Sequence, residues 1–174
     1  MSGAHIGAGS ESEYTTMFGS LADFRKGGVD VLDDDPRNYV FSNVFEVASK
    51  SAPYERVVVM KNLEYVVEAL RAEGTSPWFA NAHDEFALCM DGQVEVHLLK
   101  PDAAPLDAGA EGGHILDEPP AGRKMGRLVL GRGHMGLLPA GCVYRFAAET
   151  PGVFTIQTLI GPASVEKWGE ICLR

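Results

Sequence analysis

From Arg56 onward the hydrophobic pattern has the short runs and two-residue period of β-strands. RVVVMK (56–61) is largely β-branched. EYVVEALRA (64–72) is long enough for a helix, but strand and turn signals flank it. Glu73-Gly74-Thr75-Ser76-Pro77 then breaks it, which favours a strand. PWFANAH, EFALCM and QVEVHLLK follow, and Asp91-Gly92 predicts a tight hairpin turn between the last two. GRLVLGRGHMGLLPAGCVYRFAAE alternates short strands with Gly and Pro turns, and GVFTIQTLIG adds another strand. Regularly spaced short strands of this kind predict an all-β barrel or sandwich.

The other segments read differently. Residues 1–20 are Gly, Ser and small polar residues, expected to form a flexible tail or an arm that orders only on a partner. Residues 21–55 mix acids, turn residues and scattered aromatics, and predict an irregular, partly helical N-terminal extension. Within it, Asp33, Asp34 and Asp35 read as a solvated acidic turn before Pro36. Phe41, Val44, Phe45 and Val47 fit a short amphipathic helix or an irregular wrap. Residues 56–174 form the barrel, interrupted by a Pro-, Gly-, Ala- and Asp-rich surface loop at 101–126 that holds a solvated His114.

Composition narrows the function. One domain of 174 residues, 45% hydrophobic, buries a core without staples. The net charge of −9, with no cluster of Lys and Arg, argues against nucleic acid and anionic membrane surfaces. No apolar run approaches the ~18 residues of a membrane span. The start, MSGAHIGAGSESEY, lacks the pattern of a secretory signal. Cys89, Cys142 and Cys172 stand at no metal-like spacing and read as reduced, buried thiols of a cytoplasmic protein.

Two spaced motifs carry the chemistry. Glu85, six residues and Gly92 match the end of the first cupin motif, G-x5-H-x-H-x3/4-E-x6-G. Gly133, five residues, then Pro139, Ala140 and Gly141 match the start of the second, G-x5-P-x-G-x2-H-x3-N. The chain therefore resembles the cupins, which implies a double-stranded β-helix, or jelly-roll barrel. The ligand positions do not follow. Phe79 and Asn81 stand where the first motif has histidines, Tyr144 where the second does, and Ala148 where it has Asn; only Glu85 remains. An Fe(II) or Mn(II) site needs imidazoles and a carboxylate converging around open positions. A rebuilt site from Glu85, His83 and His134 is the sharper alternative to a hydrogen-bonded turn in a metal-free barrel. His97, alternating with apolar neighbours, reads as a core or edge residue. No side chain of this chain is assigned as catalytic.

Period-two alternation then assigns faces. If Phe79, Asn81 and Glu85 point inward, Trp78 points outward, and so do the apolar Phe86, Leu88 and Met90. A covering is expected, either by the N-terminal segment or by another subunit. The runs DPRNYVFSNVFEVASKSAPYERVVVMKNLEYV, AEGTSPWFANAHDEFALCMDGQVEVHL and GRGHMGLLPAGCVYRF are similar to the small subunits of two-component hydroquinone 1,2-dioxygenases. That resemblance implies a bacterial ring-cleaving enzyme that turns hydroquinone and O2 into 4-hydroxymuconic semialdehyde. It implies Fe(II) on a larger cupin-like subunit, no metal on this chain, and two small plus two large chains. Trp78 would then lie at the subunit contact or substrate-pocket edge, with Phe79 and Tyr144 plugging the barrel. The residues alone leave two other readings open: a stand-alone, metal-free cupin that binds a small molecule, and an independent metalloenzyme with displaced ligands.

Overall fold

The structure, a computed structural model, describes residues 43–167. The expected tail at 1–20, the first part of the extension, Asp33 to Asp35, Phe41 and Cys172 lie outside the described residues. The rest is an all-β, double-stranded β-helix barrel with little helix.

A short helix, α1 (Val44–Lys50), comes first. Asn43 caps it by accepting the Phe45 N–H at 2.9 Å, and Glu46 pairs with Lys50 at 2.8 Å one turn on. Ten strands follow: β1 (Arg56–Asn62), β2 (Tyr65–Thr75), β3 (Trp78–Asn81), β4 (Glu85–Asp91), β5 (Gln93–Pro101), β6 (Gly113–Leu116), β7 (Gly122–Gly131), β8 (Met135–Leu138), β9 (Val143–Leu159) and β10 (Ser164–Val165).

The 17-residue strand β9 organises them. Its first part has β5 on one side and β3 on the other, while its second part lies between β2 and β4. β10, β1 and β2 extend one half of the sheet, and β8 ends it beyond β4; β6 and β7 flank the other half. The sheet curls so that both halves bury one core. Leu70, Ala87, Phe154 and Ile156 of one half meet Phe79, Val96, Tyr144 and Phe146 of the other. Aromatic rings fill the middle: Phe146 lies 4.6 Å from Phe154, 5.3 Å from Tyr144 and 6.0 Å from Phe79, centroid to centroid. A second, smaller cluster forms where Val44 and Val47 of α1 cover Val57, Val59, Val67 and Ala69 on the outer face of β1 and β2.

Two expectations need correction. Asp91-Gly92 does turn, with Gly92 at φ +77°, but β4 and β5 do not pair as a hairpin. Each pairs instead with a different stretch of β9, so the turn carries the chain from one half of the sheet to the other. A Cβ at Gly92 would sit 3.0 Å from the Gly152 Cα, so the close crossing itself favours glycine. Residues 101–126 are also not one surface loop. They contain β6, which pairs with β3 from Trp78↔Leu116 to Asn81↔Gly113, and the start of β7, paired with β5. Glycine and proline flank four-residue β6 closely enough to hide it from pattern reading.

Candidate functional site

Inside the barrel, the first residue of β1 meets the motif carboxylate. Arg56 is 1% exposed and Glu85 is 0% exposed. Arg56 Nη2 donates to Glu85 Oε1 at 2.6 Å, Arg56 Nε to Glu68 Oε2 at 2.5 Å, and Arg56 Nη1 to the Tyr144 hydroxyl at 3.0 Å. Tyr144 in turn donates to Glu85 Oε2, and Thr158 Oγ1 donates to Glu85 Oε1 at 2.7 Å. Ser164 Oγ donates to Glu68 Oε1 at 2.5 Å. The Phe79 ring covers the guanidinium, with its centroid 5.5 Å from the Arg56 carbon. All five N–H groups of a guanidinium lie in one planar fork, which is why one side chain reaches three oxygens at once.

The electrostatics follow from burial. Burial alone would lower the Arg56 pKa, but Tyr144, Glu68 and Glu85 outweigh it and hold it above the ordinary guanidinium value. Burial, with Glu85 adding to it, pushes the Tyr144 hydroxyl well above a free tyrosine, so it stays a donor. Burial also raises Glu68, against the opposing pull of Arg56. Cys142 is pushed up to about 11, chiefly by burial, which leaves an inert thiol.

The structure thus brings Phe79, Glu85 and Tyr144 together around a residue that lies in neither motif. Asn81 sits beside them on β3, facing Gly113 in the ladder, and its Nδ2 donates to the Leu138 carbonyl at 2.8 Å. Trp78 lies on the opposite face from Phe79, half-buried, with the Arg145 guanidinium 4.8 Å over its ring. His83 reaches Glu85 only through Thr158: its Nε2 lies 3.0 Å from Thr158 Oγ1 and accepts the Leu159 N–H at 3.0 Å. His134 is elsewhere. It accepts the Gly131 N–H at the turn before β8, and Leu88↔Met135 pairing places it, one residue beyond Met135, about 13 Å along the ladder from Glu85↔Leu138. His97 lies on the outer face, paired with Glu95 at 3.1 Å, and His114 bonds the Glu111 carbonyl.

The cupin fold implies a metal, and these residues do not fit one. Both Glu85 oxygens already accept hydrogen bonds from Arg56, Tyr144 and Thr158. At this site, the buried Asn81 Oδ1 and His83 Nδ1 make no hydrogen bond. The Leu159 N–H on Nε2 makes Nδ1 the protonated nitrogen, a donor and not a ligand. Asn81 Oδ1 alone is a weak neutral donor, and a divalent ion beside it would face the guanidinium's charge. The rebuilt Glu85, His83 and His134 site is therefore not assembled, and no group of three or more His, Cys, Asp and Glu suited to a metal occurs among the described residues.

Arg56, Glu68 and Gly113 were not singled out from the sequence. A glutamate at an inward position of an apolar strand, and an arginine opening a β-branched one, were the available signals. Gly113 packs against the guanidinium: a Cβ there would lie 2.4 Å from Arg56 Nη1. Gly113→Ala is therefore expected to destabilise the chain by about 1–3 kcal/mol, because the pinned Arg56 cannot yield cheaply. Urea unfolding measures it; an unchanged midpoint would contradict the packing described. A cleft of about 370 Å³, lined by Thr75, Gln93, Glu95, Ala148 and Glu149 among others, includes the second motif's Asn position at Ala148 but none of Phe79, Asn81, Glu85 and Tyr144.

Comparison with solved structures places this geometry. A chain of hydroquinone 1,2-dioxygenase from Sphingomonas sp. TTNP3, solved with 4-hydroxybenzoate, is 62% identical, with 92% of this chain and 98% of that one covered and a TM-score of 0.83. The chain belongs to the hydroquinone 1,2-dioxygenase family. A chain of the hydroquinone 1,2-dioxygenase PnpCD, solved with Cd2+ and 4-hydroxybenzonitrile, is 56% identical over 95% of this chain and 100% of that one, again at a TM-score of 0.83. A PnpCD chain solved with Fe3+ shares the fold at 13% identity and a TM-score of 0.59, covering 82% of this chain but only 40% of that one. PnpCD thus pairs a chain of this size with one about twice as long. No protein-family model and no curated protein matches this chain. No helix among the described residues is long and apolar enough to cross a membrane.

Proposed function

We propose that this chain is the small, metal-free subunit of an Fe(II)-dependent dioxygenase that opens hydroquinone with O2 to 4-hydroxymuconic semialdehyde. The iron resides on a larger cupin-like chain, in an assembly of two small and two large chains. One observation carries the reading: a chain matching the short chain of hydroquinone dioxygenases end to end keeps the motif glutamate and commits it to an internal arginine. Bound iron supplies the chemistry, holding substrate and O2 at open positions. This chain's residues shape the pocket wall and exclude water. A small-molecule site inside the barrel is the weaker reading, because Phe79, Tyr144, Phe146 and Phe154 fill that space.

Two surfaces support a partner. Trp78, held by Arg145, presents an aromatic ring at the start of β3. On the outer face of the other half, Phe86 and Leu137 are each 45% exposed and are ladder neighbours, with Met135 beside them. A contiguous apolar face of this kind calls for a covering. Trp78→Ala is expected to lower kcat/KM about tenfold or more while leaving the iron content of the assembly intact. Phe86→Glu with Leu137→Glu is expected to release the small chain. Kinetics and native mass measure both. Wild-type turnover and mass in Trp78→Ala would remove Trp78 from the contact, and an intact complex in the double variant would free that face.

A further inference from the structure

The mismatch between fold and donor set has a regular pattern. Around Glu85, two of the three motif histidine positions, Tyr144 and Phe79, serve a guanidinium instead, while Asn81 bonds the Leu138 carbonyl. Glu68, on β2 and outside both motifs, takes the Nε side of the fork at 2.5 Å. Tyr144, at a histidine position, accepts from Nη1 at 3.0 Å and donates to Glu85. Phe79, at another histidine position, offers its ring to the cation at 5.5 Å. Gly113 leaves the space that a Cβ would take from Nη1, Cζ and Nη2. None of Glu68's ion pair, the Phe79 ring or the missing Cβ is needed to hold a metal.

We propose that the barrel has kept its interior cation site and fills it with its own side chain: the Arg56 guanidinium replaces the metal as the positive charge that Glu85 and Glu68 require. The proposal rests on the reading of this chain as metal-free. Its consequence is that deleting the guanidinium opens a site for a free cation: a small planar guanidinium ion, or a hard divalent ion that takes carboxylate and phenol oxygens.

The experiment is the thermal unfolding of the full-length chain as Arg56→Ala, with millimolar methylguanidinium chloride or MnCl2 as probes and with NaCl as control. Tm is expected to fall by about 10 °C and to recover in part with methylguanidinium or Mn2+, while wild type responds to neither. An Arg56→Ala chain that melts like wild type, or that neither probe raises more than it raises wild type, overturns the proposal. Should Arg56→Ala not fold, the Arg56→Met, Glu68→Gln, Glu85→Gln triple variant decides. Folding supports the proposal, since cation and carboxylates then matter only together; failure overturns it. Iron bound by the wild-type chain would end the metal-free reading whatever the variants do, whereas absent rescue in an iron-free chain ends only this proposal.

Discussion

Replacing Glu85 with alanine is expected to cost about 3–5 kcal/mol of stability, as breaking one partner out of a buried ion pair does. Glu85 accepts from Arg56, Tyr144 and Thr158, and is wholly buried. Its loss leaves the guanidinium with Glu68 as its remaining carboxylate partner and leaves the Tyr144 hydroxyl without its acceptor, while the Thr158 hydroxyl keeps the Leu159 carbonyl at 3.2 Å. The stranded tyrosine donor adds its own desolvation cost. Glu85→Gln keeps the shape but turns an amide N–H toward groups that donate, so it is expected to be milder yet still destabilising, by roughly 1–3 kcal/mol. Urea unfolding gives both values. A metal ligand would behave oppositely: its loss would release the ion, and chelation of the wild type would mimic the mutation. Here, a chelator is expected to leave the unfolding midpoint of the purified chain where it was. A near-neutral Glu85→Ala, or a midpoint that falls with chelator, contradicts the network's role.

The second large effect concerns activity. Ring cleavage of hydroquinone is expected at background for this chain alone and to rise by three orders of magnitude or more, on the order of 10³-fold, when the larger chain and Fe(II) are added. Chelation of the assembly is expected to abolish turnover without dissociating or unfolding this chain. Ring opening followed by absorbance, with native mass in parallel, tests both parts. Turnover by the purified small chain at the assembled rate would contradict the division of labour.

Much of the scaffold was legible in the sequence, because local pattern determines it. The alternation along EFALCM and QVEVHLLK reappears as buried and open positions on β4 and β5. EYVVEALRA lies in strand β2, whose inward positions Val66, Glu68, Leu70 and Ala72 are all buried; the strand runs past the expected break at Gly74 through a register shift and ends at Thr75, before Pro77. The glycine and proline frame marked the barrel. The interior charge network was not legible. Its contacts join residues 12, 29 and 88 positions apart, and no periodicity records such distances. RVVVMK read as a strand, correctly, yet the pattern does not say that its arginine turns inward to find two carboxylates. The Asp91-Gly92 turn failed as a hairpin for a related reason. A local turn preference fixes the bend, but the competing partner β9 fixes which strands pair. β6 was hidden because a strand of four residues between glycines and prolines gains its stability from pairing with β3, not from its own propensity.

The mass of the small chain ejected from the intact, active assembly in native mass spectrometry tests the central claim most directly. The buried guanidinium predicts the mass of the bare polypeptide, with iron remaining on the larger chain. A small chain that leaves carrying one iron atom would contradict it.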